Sequence, residues 1–257
     1  MTVYNWDDNS LASFSQTSFF KEGTGISIGS FDGLHLGHRF LLEKLVEIKD
    51  RAGLFEQPLS PGIITFSRPL PAYKHSDDYT GDISTLSQRL RFFEEAGIEF
   101  VFVVDFTEAF ASLKGIDFLD LLRKKLNMKF LAEGIDFRCG YKGATDTQAI
   151  KYWAEQNEID YCFVDPVFYT EADGAQERIS SSYIRHMIQK GFFTTIGELL
   201  NRPYELDIEE IRRNGQCVQV LPPDGFYNCK TETDEIVRIQ IDGNKLAALP
   251  ECKRIVF

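Results

Sequence analysis

Between residue 25 and about residue 200 the apolar pattern switches repeatedly between short continuous runs and helical spacing, and this alternation limits the fold more than any other feature of the chain. Runs suited to buried strands are GISIGS (25–30), GIITF (62–66), EFVFVV (99–104), KFLAE (129–133) and DYCFV (160–164). Between them Leu41, Leu42, Leu45 and Ile48 share one helical face, as do Leu86, Leu90 and Phe93, and then Phe118, Leu121, Leu122 and Leu126. Thr85 and Gln88 have the spacing of a capping box, and Gly97 and Gly191 stand where helices would stop. Strands alternating with helices predict an α/β fold built on a doubly wound parallel sheet. With 43% apolar residues in 257, the chain can bury a full core.

The pattern changes after Asn201-Arg202-Pro203. From Tyr204 onward, short strand-like pieces (YELDIEEI, QCVQVL, FYNCKT, EIVRIQI, KLAAL, KRIVF) are divided by the turn signals NG, PPDG, TETD, DGN and PEC. The expected organisation is a main domain at 1–203 and a small β-barrel or meander at 204–257 docked on it.

No apolar run approaches the length needed to cross a bilayer, and the opening MTVYNWDDNS carries acidic residues where a secretion signal needs a basic patch and an apolar core. The expected location is therefore cytoplasmic, with no membrane partner. Five scattered cysteines without a C-x-x-C pair predict free thiols rather than a disulfide framework or a zinc ribbon. A net charge of -11 argues against a nucleic-acid partner but not against a small anion, which a local nest of donors can bind on an acidic protein. Nothing in the composition gives an oligomeric state.

The segment SIGSFDGLHLGHRFLL (27–42) spends two of the chain's four histidines on His35 and His38, three positions apart across a glycine. Three readings are open from residue types alone: a metal pair, ordinary polar residues at a helix start, or two cationic donors aimed at a phosphate. A metal pair on a helix favours i, i+4 spacing and a third ligand, and neither is present. The position favours a phosphate, because ligands of an open parallel sheet bind beyond the carboxyl ends of its strands, where helix-start amides already attract anions. A second segment, Ile179-Ser180-Ser181-Ser182-Tyr183-Ile184-Arg185, puts three hydroxyls at another helix start with a cation one turn on. The hydroxyls read equally as caps or as phosphate ligands.

G-x-F-D-G-x-H-x-G-H resembles the first signature of the nucleotidylyltransferase superfamily, and ISSSYIR resembles its second, I-S-S-T-x-I-R, with Ser182 keeping the hydroxyl of the threonine. With ITFSRPLP (64–71), VDFTEAFASLKGIDFL (104–119) and AEGIDFRCGYKGATD (132–146), residues 1–203 resemble one branch of it, the adenylyltransferase module of the bacterial riboflavin kinase/FAD synthetase family. The resemblance implies adenylyl transfer from ATP to FMN, giving FAD and pyrophosphate, with Mg²⁺ on the phosphates at ligands the sequence does not locate. It implies an ATP site of Gly29, Phe31, Asp32, Gly33, His35, His38, Ser180, Ser181, Ser182 and Arg185, with His35, His38 and Arg185 catalytic. Asp32 is expected mainly to order the turn.

On the FMN side the resemblance implies Phe66, Gly134, Asp136, Phe137 and Gly140. Three residues depart from the family's segments: Cys139 stands for a phenylalanine, Leu70 for a histidine and Arg68 for a proline. The N-R-P-Y joint at 201–204 and LPPDGFY (221–227) resemble the start of the family's kinase domain, yet no proline in the chain is followed by threonine, as that domain's P-T-A-N motif requires. The tail is therefore expected to be a kinase remnant without riboflavin kinase activity. Two alternatives stay open: an adenylyltransferase for another phosphorylated acceptor, and a non-catalytic flavin or nucleotide sensor.

Overall fold

A computed structural model describes residues 1–6, 18–49, 58–74 and 79–257 of the chain. The last four residues of the MTVYNWDDNS opening lie outside them. Contacts divide the chain into two compact units, one of residues 1–30, 38–67 and 92–166, the other of residues 31–37, 68–91 and 167–257.

The first unit holds β1 (Thr2–Asn5), β2 (Thr24–Ile28), β3 (Ser60–Phe66), β4 (Phe100–Val104), β5 (Met128–Gly134), the short β6 (Arg138–Cys139) and β7 (Thr145–Asp146), and β8 (Asp160–Val164). Six of these form one sheet in the order β1-β4-β3-β2-β5-β8, every pairing parallel. Strands covered on both faces cannot alternate polar with apolar residues, and TGISI and FVFVV are accordingly buried at every position. From β2 the chain steps outward through β3 to β4, then returns to place β5 on the other side of β2 and β8 beyond it. The reversal point of the sheet therefore lies between β2 and β5. Helix Leu36–Val46 turns Leu41, Leu42 and Leu45 inward, and helix Gly115–Leu126 does the same with Phe118, Leu119, Leu122 and Leu126. All five strands expected from apolar runs are present, and β1 is an addition.

The second unit holds the hairpin of β9 (Phe168–Thr170) and β10 (Gln176–Arg178), helices Ser181–Lys190 and Phe193–Leu200, and an antiparallel sheet. That sheet has the order β11-β15-β12-β13-β14, formed by β11 (Glu205–Asp207), β12 (Gly225–Thr231), β13 (Ile236–Asp242), β14 (Lys245–Leu246) and β15 (Arg254–Val256). Its core runs without a break through residue 203: Ile184 and Ile188 of the first helix and Leu199 of the second pack in one cluster with Tyr204, Ile239 and Ile255.

Two expectations for the tail are corrected. YELDIEEI is not one strand, because the Asp207 carboxylate accepts the Glu210 N–H at 2.9 Å and starts helix Ile208–Asn214, which Gly215 ends at φ 73°. QCVQVL forms no strand of the sheet. Its Val218 carbonyl and Val220 N–H instead bond the Asp82 backbone at 2.8 Å each, within the same unit. The Thr85–Gln88 capping box forms as expected: the Gln88 N–H donates to the Thr85 hydroxyl at 3.2 Å, and the Thr85 N–H to the Gln88 carboxamide at 2.9 Å.

Candidate functional site

The FDGLH loop opens in a conformation that most residues resist. Phe31 has φ 49°, Gly33 φ 82° and Leu34 φ 41°, three left-handed residues within four positions. Only glycine adopts this freely, and each of the others costs of the order of 1–3 kcal/mol unless its surroundings impose it. Here they do. Phe31 and Leu34 are buried, and a Cβ on Gly33 would come within 2.8 Å of the Ile83 side chain. The Asp32 carboxylate accepts the N–H groups of Ile83 and Ser84 at 2.9 and 3.0 Å, and Arg202 donates to the carbonyl oxygens of Gly33 and Leu34 at 2.6 and 3.4 Å.

The second motif meets this loop. Ser180 caps helix Ser181–Lys190, its hydroxyl accepting the Tyr183 N–H at 3.2 Å. The Ser181 hydroxyl donates to the Asp32 backbone carbonyl at 2.9 Å, and Ser182 is exposed. Arg185, 5% exposed, pairs with the Asp32 carboxylate, donates to the Gly81 carbonyl at 2.7 Å and lies over the Tyr79 ring, 5.1 Å from its centroid. Burial raises the Asp32 carboxyl above the usual carboxylate range, opposed by the Arg185 guanidinium and the amides of Ser84 and Ile83. Motifs 149 residues apart thus share one hydrogen-bonded cluster. The Arg185 and Asp32 side chains are turned into that cluster and hold protein groups.

His35 immediately precedes helix Leu36–Val46, and His38 lies in its first turn. The reading of two cationic fingers is corrected for His35. Burial, with help from the charges of Arg178 and Arg202, lowers its pKa to about 3, so the ring is neutral at physiological pH and donates from one nitrogen only. Because this value lies below the ordinary 6.5, His35 favours the folded state fully above pH 6.5, and that contribution is lost as the pH falls toward 3. The slope approaches about 1.4 kcal/mol per pH unit. The expected result is that His35→Asn removes this slope. Urea denaturation of both proteins at pH 7.5, 5.5 and 4.5 checks it, and identical pH dependence contradicts it.

In the first unit, Gly29 follows β2 directly and its N–H donates to the Ile64 carbonyl at 3.0 Å. Phe66 ends β3 buried among rings, its centroid 5.8 Å from Phe106 and 6.1 Å from Phe110. Gly134 ends β5, its carbonyl accepting the Phe137 N–H at 2.9 Å in a turn that leaves Asp136 exposed and Phe137 half-buried. Gly140 has φ 75°, and a Cβ there would lie 2.1 Å from the Gly115 nitrogen, so only glycine lets this loop close on helix Gly115–Leu126. Cys139 is buried, and burial together with Glu133 pushes its thiol up to about 12. The Arg68 departure is paired in the second unit with Asp82 at 3.2 Å. Burial and the neighbouring Asp32 push Asp82 up to about 6 against that pairing.

Sequence reasoning missed Arg202, Arg178, Asp82 and Glu133. Arg202 had a usable signal, its place in N-R-P-Y, whereas the others carry no local pattern that marks them. Among the described residues no group of three His, Cys, Asp or Glu side chains gathers as a metal centre, and no helix is long and apolar enough to cross a membrane.

The six-stranded parallel sheet of the first unit, with its reversal point between β2 and β5, and the serine-capped helix tied to the FDG turn in the second define an α/β protein of the doubly wound class. Residues 18–183 match the family model for FAD synthetase, and the chain belongs to that family. The bifunctional riboflavin kinase/FMN adenylyltransferase of Escherichia coli (strain K12) is 31% identical over 188 residues, covering 72% of this chain and 56% of that relative. The chain therefore spans little more than half of that relative's length. The FAD synthetase of Listeria monocytogenes is 27% identical over 204 residues, 79% of each chain. In fold alone, the chain is similar to a crystal structure described as a macrolide-efflux protein from Streptococcus pneumoniae, with a TM-score of 0.74 at 19% identity over 100% of this chain and 98% of the other.

Proposed function

We propose that the chain transfers the adenylyl group of ATP to FMN, forming FAD and pyrophosphate. The observation that carries this reading is the meeting of the FDG turn with the serine-capped helix through Asp32, 2.9 Å from the Ser181 hydroxyl, in a chain of the FAD synthetase family. A phosphate oxygen of FMN attacks the α-phosphorus of ATP, the bond from that phosphorus to the bridging oxygen breaks, and pyrophosphate leaves with the electron pair. The acceptor is already a competent nucleophile, so no covalent enzyme intermediate is needed, and catalysis rests on positioning and charge stabilisation. His35 and His38 donate to the α-phosphate region as charge builds, with Gly29, Phe31 and Gly33 shaping the backbone around it. Ser180, Ser181, Ser182 and the amides of their helix start receive the departing pyrophosphate, and Arg185 and Asp32 hold that cradle in shape.

ATP enters as its magnesium complex. Magnesium keeps much of its water and needs few protein ligands. On the acceptor side Phe137 offers a ring to the flavin, Asp136 a polar contact, Gly134 and Gly140 the shape of the loop, and Phe66 the wall behind it. We assign these roles to a module at 1–203 and read 204–257 as a kinase remnant that does not phosphorylate riboflavin, since no Pro-Thr pair occurs in the chain. Reaction in the cytoplasm, with no nucleic-acid partner, fits this chemistry.

Chromatography of the products from MgATP with FMN, and separately with riboflavin, tests the reading. FAD from FMN and nothing from riboflavin is the expected outcome. No FAD from FMN overturns the assigned activity, and FMN made from riboflavin overturns the reading of the tail.

A further inference from the structure

The pairing of β2 with β5 ends at Ile26 opposite Leu131, whereas β2 stays paired with β3 as far as Ile28 opposite Ile64. On the other side, β5 stays with β8 through Gly134 opposite Val164, and the Ile135 N–H still donates to the Val164 carbonyl at 3.0 Å. The two central strands thus part at their carboxyl ends, each following its outer neighbour. This is the reversal point of the sheet, where an open parallel sheet takes its ligand. The Ile28 amide at the parting is satisfied by a side chain: it donates to Glu133 Oε1 at 2.6 Å, and Glu133 is 2% exposed. Among the described residues this is the one hydrogen bond the Glu133 side chain makes. An apolar side chain would fill the same space without the cost of burying a carboxyl group, but it would leave the amide unpaired.

We propose that Glu133 is a positioning residue: by accepting the Ile28 amide where β2 and β5 part, it holds the end of β2, and the Gly29–Ser30 turn that follows, at a fixed spacing from the acceptor loop at 134–137. This rests on the reading of that loop as the acceptor side. Burial raises the Glu133 carboxyl well above the usual range, opposed by the Ile28 amide. Among the described residues no charged group offsets its burial. β2 contributes no ionisable side chain, Phe163 is its partner on β8, and the ionisable neighbour, Cys139, is a neutral thiol.

Glu133→Gln keeps a neutral acceptor of the same length, and Glu133→Leu removes it. Amide hydrogen exchange of the free protein reads the contact directly, and the KM for FMN and kcat between pH 6 and 9 read its consequence. Glutamine is expected to keep wild-type protection at Ile28 and wild-type kinetics, while leucine loses protection at Ile28 and raises the KM for FMN, each by about tenfold or more, with kcat changed less. Should the leucine variant fail to fold, Glu133→Asp, one methylene too short to reach, is expected to show the same loss at Ile28. Wild-type protection at Ile28 in the leucine or aspartate variant overturns the proposal, as does a glutamine variant as impaired as leucine. A wild-type protein that makes no FAD sinks the functional reading instead, and the exchange result still decides the role of Glu133.

Discussion

Replacing His38 with alanine is expected to lower kcat by about a hundredfold or more while the protein stays folded. In the proposed reaction negative charge builds on the α-phosphate oxygens as the acceptor attacks, and a donor already aimed at those oxygens stabilises the transition state more than bound ATP. His38 sits in the first turn of helix Leu36–Val46, where unpaired amides and the helix dipole favour the same charge. Alanine is the best helix former, so the substitution removes the donor without disturbing its support. Pyrophosphate release at saturating substrates, with circular dichroism as the folding control, checks the expectation. A folded variant with full activity removes this histidine from the mechanism.

Asp32→Ala is expected to be the most destabilising single change at the site. It strips the partner from the buried Arg185 guanidinium and leaves the amides of Ile83 and Ser84 without their acceptor. Breaking a buried pair from one side costs about 3–5 kcal/mol, a melting temperature lower by roughly 10 °C for a chain of this size. The left-handed residues Phe31 and Leu34 lose one of the groups that hold them, so ATP binding weakens as well. Asp32→Asn keeps an acceptor for the amides and should fall between the two. Thermal unfolding of the three proteins decides the point, and a melting temperature within a degree of wild type for the alanine variant contradicts it.

Strands β2, β3 and β4 were legible because a strand buried on both faces must be apolar almost throughout, and β5 and β8 because their central residues are apolar although Lys129 and Asp160 are exposed. β1 was not: TVYN is four residues long with alternating exposure, a pattern shared with many loops. YELDIEEI misled for a related reason, since Leu206, Ile208 and Ile211 suit either period until the Asp207 cap is seen to act. At the site, the glycines, histidines and serines were visible through spacing. Their supports were not, because Arg202 reaches the FDG loop from 168 residues away and Glu133 reaches Ile28 from 105. Arg185 was visible as a cation, but its inward direction was not, because only the fold brings Asp32 and Gly81 to it.

Nuclear magnetic resonance of the histidine side chains and of the Ser180–Ser182 amides, during titration with a non-hydrolysable MgATP analogue, tests the central claim most directly. If the two motifs form one nucleotide site, the imidazole signals of His35 and His38 and the amide signals of the serine segment shift together along a single saturation curve. Shifts in one motif that leave the other unmoved at saturation would contradict it.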